Sequence, residues 1–216
     1  MPPSPAASLP CSGAPLSLAE TAEQVMGMPK LEEPVTTVEQ LLALPDDGLR
    51  HELLDGEHVV TPAPELLHQR AVGRLFRDLA TYLDGWRDLE LFASPADVIL
   101  GPRILVQPDL FVARVPPGGR LRKWQDVGVP VLAIEGLSPG TASRDRGKKR
   151  LIYQREGVAE YWIVDLDARL VERWRPADER PEIARDRLVW KSGPSAPPLE
   201  IELQPFFGRV HEDTER

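Results

Sequence analysis

At 216 residues and 24.1 kDa, the chain has room for one domain with extra segments, or two small ones. A net charge of -8 and a pI of about 5.1 exclude a protein that coats nucleic acid non-specifically, because phosphate binding needs a positive surface, but leave room for a local basic cleft. The single cysteine, Cys11, excludes an intramolecular disulfide and a cysteine-based structural metal site.

Residues 1–34 are rich in Pro, Ala and Ser, and are expected to be disordered around a short helix over 16–26. No basic stretch precedes their weakly apolar part, so no signal peptide is expected. No apolar run approaches the ~18 residues of a membrane span, and a cytoplasmic protein is expected. The globular domain is predicted over 35–206, followed by a polar tail over 207–216.

"TTVEQLLAL" predicts a helix, with Thr36 and Glu39 at capping-box spacing. "RHELLDGEHVVTP" predicts a hairpin, because Asp55-Gly56 supplies the positive φ angles of a tight turn. In "PELLHQRAVGRLFRDLATYLDG", Leu67, Val72, Leu75, Phe76, Leu79 and Leu83 recur at helical spacing, and Gly85 suits the stop. Short strands are predicted in "LELFAS", "ADVIL" and "PDLFVAR", then a loop or short helix in "VPPGGRLRKWQDVG". A strand over 129–136 precedes a helix over 143–156. "AEYWIVD" and "RLVERWR" predict two strands joined by a turn at 166–168, and "LEIEL" a last strand in a Pro-rich tail. The fold class is α/β (α+β): a mixed β-sheet core flanked by helices.

Strand alternation places Glu135 on one face with Val131, Ala133 and Leu137, and Asp109 with Gln107, Phe111 and Ala113. Each acid therefore sits among apolar neighbours. An isolated ionised carboxylate there costs several kcal/mol or more unless a cation compensates it.

The basic segment "SRDRGKKRLIYQREG" offers that cation. Ser143 is read as its N-cap, with Asp145 in the first turn. Asp145, Lys149, Ile152 and Tyr153 share one flank, so Lys149 can lean inward; pattern alone does not choose between Lys148 and Lys149. Two acids plus a lysine suit Mg²⁺ or Mn²⁺, whose hard-oxygen sites use one or two carboxylates, waters and substrate phosphate. Such a set would hydrolyse a phosphodiester.

Several segments carry a resemblance. "HELLDGEHVVTPAPELLHQRAVGRL", "VQPDLFV", "VLAIEGLSPGT" and "DRGKKRLIYQREGVAEYWIVD", in that order over about residues 36–175, resemble the Uma-two family of restriction endonucleases, within the PD-(D/E)XK nuclease superfamily. The resemblance implies a restriction-endonuclease-like fold, with Asp109 and Glu135 as metal-binding acids. The superfamily's usual lysine, two residues after the Glu, is Leu137 here. Lys149 matches the lysine of this family on the following helix, and Tyr153 is read as its supporting group. Relatives tend to carry Glu where this chain has Lys148, and Val where it has Gly136.

The resemblance also points to His68 and Glu52 near the cleft, with Gln107 beside Asp109. Arg144, Arg146, Lys148 and Arg150 would contact DNA phosphates. The sequence thus predicts a metal-dependent endonuclease acting on DNA, with a homodimer as one way to cut both strands. The competing reading is a catalytically inactive nuclease fold that serves as a binding module. Taken alone, Glu135 and Asp109 would read as structural partners of Lys149, and Tyr161 and Trp162 as core.

Overall fold

A computed structural model describes residues 34–61, 63–138 and 140–212; the expectations for 1–33, including the short helix, lie outside them. Everything below concerns the unit Val35–Arg216.

The elements run in this order: α1 (Val38–Leu42), β1 (Arg50–Leu54), β2 (Glu57–Thr61), α2 (Leu66–Leu83), β3 (Leu89–Ala93), β4 (Val98–Gly101), β5 (Ile104–Val106) and β6 (Leu110–Arg114). After a 3-10 turn (Trp124–Asp126) come β7 (Leu132–Gly136), then α3 (Ala142–Arg144), a π-helical turn (Asp145–Lys149) and α4 (Arg150–Arg155) as one continuous helix. The chain ends with β8 (Glu160–Asp165), β9 (Leu170–Trp174), β10 (Glu182–Ala184), β11 (Arg187–Trp190), β12 (Leu199–Glu202) and α5 (Leu203–His211).

The central sheet has six strands in the order β10-β9-β8-β7-β6-β3. Only β7 and β8 pair in parallel, because the intervening helix returns the chain to the same end. A second sheet, β2-β1-β5-β4, carries the hairpin, and β11 and β12 form a two-stranded ribbon.

Alternation divides the central sheet into two buried faces. Leu110, Val112, Leu132, Ile134, Trp162 and Val164 pack against α2 and α5. Phe111, Ala133, Tyr161 and Ile163 pack against Ile152 and Tyr153 of α4, and against Leu54, Val98 and Val106 of the second sheet. Glu135 joins this second face between Ala133 and Leu137.

The buried stripe of α2 is His68, Ala71, Leu75, Leu79 and Leu83, each three or four residues from the next. His68 faces inward because it continues that stripe. Phe76, expected within it, is 38% exposed. Asp55 and Gly56 turn the hairpin at φ of 53° and 84°, as the sequence predicts.

Some expectations are corrected. The capping box lies one residue later than predicted, with Thr37 accepting from the Gln40 N–H. The helix before β8 has Thr141, not Ser143, at its N-cap, and the π turn was not foreseen. The strand predicted from 129 begins at Leu132, and Val131 packs on the α2 side. β5, β10, β11 and α5 were not predicted. The polar tail is corrected most: α5 extends past residue 206 and buries Phe207 and Val210 against the core. Among the described residues, no helix is long and apolar enough to cross a membrane.

Candidate active site

β6 and β7 run antiparallel with Leu110 opposite Ile134. One step further along that register, Asp109 stands opposite Glu135. The Gly136 N–H donates to Asp109 Oδ2 at 2.8 Å, fastening the two strand ends together. Both acids are 4% exposed and line a cleft of about 280 Å³.

Asp109 is held from three sides. Arg50 Nη1 donates to Oδ1 at 3.2 Å, and His68 Nε2 donates to Oδ2 at 2.8 Å. A carboxylate only accepts, so Nε2 carries the proton; His68 Nδ1 is buried and has no partner among the described residues. Burial opposes ionisation of Asp109, but His68, Arg50 and the Gly136 N–H outweigh it and hold its pKa below the usual value.

Glu135 is driven the other way. Burial, reinforced by the charges of Asp109, Asp145 and Glu52, pushes it well above the ordinary glutamate value, although Lys149 opposes this. Lys149 Nζ lies 2.7 Å from Glu135 Oε1 and 2.8 Å from Glu52 Oε1. Burial disfavours its charge, yet Glu135, Glu52 and Asp145 raise its pKa, so the side chain is a fixed ammonium. Tyr153 donates to the same Oε1 at 3.4 Å; burial and the facing carboxylates raise its pKa, so it stays a neutral phenol.

Glu52, on β1, is fully buried. Its Oε1 also accepts from the Gln107 N–H at 2.7 Å, and Gln107 Nε2 donates to Asp97 Oδ1 at 2.8 Å. The predicted set of Asp109, Glu135, Lys149, Tyr153, Glu52, His68 and Gln107 therefore converges through direct contacts. The π turn contributes two buried residues. Asp145 and Lys149, both 2% exposed, lie within it and are buried, as are Ile152 and Tyr153 of α4.

The basic set does not behave as one group. Arg144 lines the cleft and donates to Thr61 Oγ1 at 3.3 Å. Lys148 turns outward to Glu57 at 2.6 Å. Arg146 is bound by Asp165 and Glu172, and Arg150 lies over the Trp174 ring at 4.6 Å. The last three are thus engaged within the protein rather than at the cleft.

Two site members were not singled out by sequence. Arg50 pairs with Asp109 and donates to the Gln107 carbonyl. Its signal was alternation: Arg50 and Glu52 are two residues apart on β1, hence on one face. Asp145 was read as a helix-start acid on the flank of Lys149 but given no site role; it is buried, its Oδ1 has no partner among the described residues, and burial raises its pKa.

The donor set fits a hard divalent cation. Asp109, Glu52 and Asp145 surround Glu135 with further carboxylates, and their charge adds to burial in lifting it. Both hydrogen bonds to Glu135 arrive at Oε1. Among the described residues, no group of three His, Cys, Asp or Glu side chains forms a protein-only cage. Asp109 and Glu135 are therefore the carboxylates available to a hard divalent cation, whose sites use one or two such groups.

A mixed sheet with helices on both faces, and paired acids where two strands meet, defines a restriction-endonuclease-like protein. The model of the Uma2 family, described as "putative restriction endonuclease", matches residues 38–204, and the chain belongs to that family. Membership supports a nuclease function. The fold is similar to the crystal structure of a "putative nuclease" from Anabaena variabilis, with a TM-score of 0.68 and 20% identity over 81% of this chain and 98% of that one. No curated protein matches the chain.

Proposed function

We propose that the protein is a metal-dependent endonuclease that hydrolyses DNA phosphodiester bonds. The observation that carries this reading is the opposition of Asp109 and Glu135 in one cleft, with Lys149 held 2.7 Å from Glu135. Asp109 and Glu135 would hold Mg²⁺ or Mn²⁺. When bound, the ion supplies Lewis acidity to the phosphoryl oxygen and lowers the pKa of a coordinated water.

The remaining roles belong to the chain. Lys149 donates a hydrogen bond and offsets charge developing on the phosphoryl group. Glu52 and Tyr153 fix its orientation, directly and through Glu135. His68 and Arg50 aim the Asp109 carboxylate. Arg144, on the cleft wall, is the phosphate contact of the predicted basic set. One chain carries one such set of acids, so two copies acting on a duplex belong to the same proposal.

Plasmid nicking in Mg²⁺ or Mn²⁺, with an EDTA control, tests the proposal. The expected result is metal-dependent nicking by the wild type and none by Asp109→Ala. An inactive wild type that binds neither metal would turn the reading toward a nuclease fold kept for binding alone.

A further inference from the structure

Away from the acids, the segment between β6 and β7 builds a second concavity. It measures about 450 Å³ and is lined by Phe92, Arg122, Lys123, Trp124 and Gln125 among others. Trp124 is 39% exposed. By contrast Trp162, Trp174 and Trp190 are buried and Trp86 is half-buried.

The indole is held by stacking against other rings rather than by burial. It meets Phe92 edge-on with centroids 5.8 Å apart, and Phe92 stacks on Phe111 at 4.9 Å. Phe111 is two residues from Asp109 and on the same sheet face. The aromatic row therefore leads along that face, placing Trp124 on the order of 15 Å from the acids by strand geometry.

Exposed basic side chains without an ion pair also occur singly elsewhere, at Arg87 and Lys191 for example; here several fall within four residues and flank an exposed indole. Arg50, Arg70, Arg146, Lys148, Arg155, Arg173, Arg175 and Arg187 are all drawn into close ion pairs. Arg120, Arg122 and Lys123 are exposed, and none has an ion pair among the described residues. The nearby Asp126 is turned to the backbone, accepting from the Arg122 and Lys123 N–H groups at 3.2 and 3.1 Å. This fixes the loop and leaves both long side chains extended into solvent. On a protein of net charge -8, an unpaired basic cluster beside a presented indole is selective for an anion that also has a planar face.

We propose that this concavity is a binding site for a single-stranded nucleic acid segment, with one unpaired base stacked on Trp124 and the adjoining phosphates on Arg122 and Lys123. An unpaired strand fits better than a duplex, because only an unstacked base can offer its face to the indole, and base–aromatic stacking is tolerant of sequence. The site extends the nuclease reading to a second contact, yet it does not need cleavage in order to operate.

The test is fluorescence anisotropy of a labelled oligothymidine with the full-length chain in EDTA, so that cleavage plays no part. Trp124→Ala is expected to weaken binding at least tenfold, and Trp124→Phe to restore most of it. The double variant Arg122→Glu, Lys123→Glu should weaken binding as strongly and flatten its salt dependence. Duplex of the same length should respond less than twofold to Trp124→Ala. Unchanged melting temperatures would show that these exposed substitutions leave the fold intact. Oligothymidine binding equal in Trp124→Ala and wild type would overturn the proposal, as would no binding by the wild type. Polyglutamate competing as well as oligothymidine would also overturn it, because charge alone would then explain the site. Loss of nicking with this binding retained would instead count against the nuclease reading only.

Discussion

Glu52 and Lys149 meet at 2.8 Å although one belongs to the β1–β2 hairpin and the other to the helix before β8. Both are buried, so the pair ties the second sheet to the central one at the cleft. Removing one partner leaves the other charge buried. Glu52→Ala is expected to cost about 3 kcal/mol in urea unfolding, because a broken buried pair forfeits compensation for its desolvation. Glu52→Gln keeps the packing and should cost less while still slowing cleavage. A Glu52→Ala protein as stable as the wild type would show that Glu135 alone suffices to hold the lysine.

Glu135 carries a pH signature. Its folded pKa is raised above 4.5, so the folded state favours its protonated form. The associated stability is fully present below the unfolded pKa and is lost as pH rises toward the folded one. Glu135→Gln mimics the protonated form and does not titrate. In EDTA its melting temperature should match the wild type near pH 4 and exceed it at pH 8. An equal difference at both pH values would assign the effect to packing. Glu135→Ala, like Asp109→Ala, should abolish metal-dependent nicking.

The two adjacent lysines should separate cleanly. Lys149→Ala is expected to slow single-turnover cleavage on the order of 10²–10³-fold, the loss typical of one preorganised electrostatic group. Lys148→Glu breaks only a surface pair with Glu57, and it should change stability by less than about 1 kcal/mol and leave the chemical step nearly intact. A larger slowing in Lys148→Glu than in Lys149→Ala would reverse the assignment.

Gly136 makes room for His68. A Cβ at this position would lie 2.8 Å from His68 Cδ2, closer than packing allows. Gly136→Ala should push the imidazole off Asp109 and cost about 1–3 kcal/mol. Adding His68→Ala should recover part of that loss, because the two residues compete for one space. Strictly additive melting shifts in the double variant would exclude the coupling.

Much of this was local, and therefore legible. The hairpin follows from Asp55-Gly56 and α2 from its apolar period, whereas the flank with Ile152 and Tyr153 allowed an inward Lys149 without choosing it over Lys148. The faces of Asp109 and Glu135 follow from alternation alone. Short or weakly patterned elements were lost: β5 and β10 have three residues each, too few to display a period, and α5 begins directly where the predicted last strand ends. Phe207 and Val210 fell in the predicted tail because the residues they pack with, on α2, the central sheet and the ribbon, are distant in the chain.

The sequence by itself determined which acids, lysine and tyrosine are present, and on which side of their own strand or helix each projects, because side-chain direction is set by backbone period. Tertiary structure decided the pairings. The antiparallel register of β6 and β7 set Asp109 opposite Glu135, the second sheet delivered Arg50 and Glu52, and packing buried Asp145 with Lys149. It also decided that Arg146, Lys148 and Arg150 are spent on internal partners, while Arg120, Arg122 and Lys123 have no ion pair among the described residues. Partners far apart in the chain leave no mark on local periodicity; only packing brings a carboxylate within reach of a guanidinium.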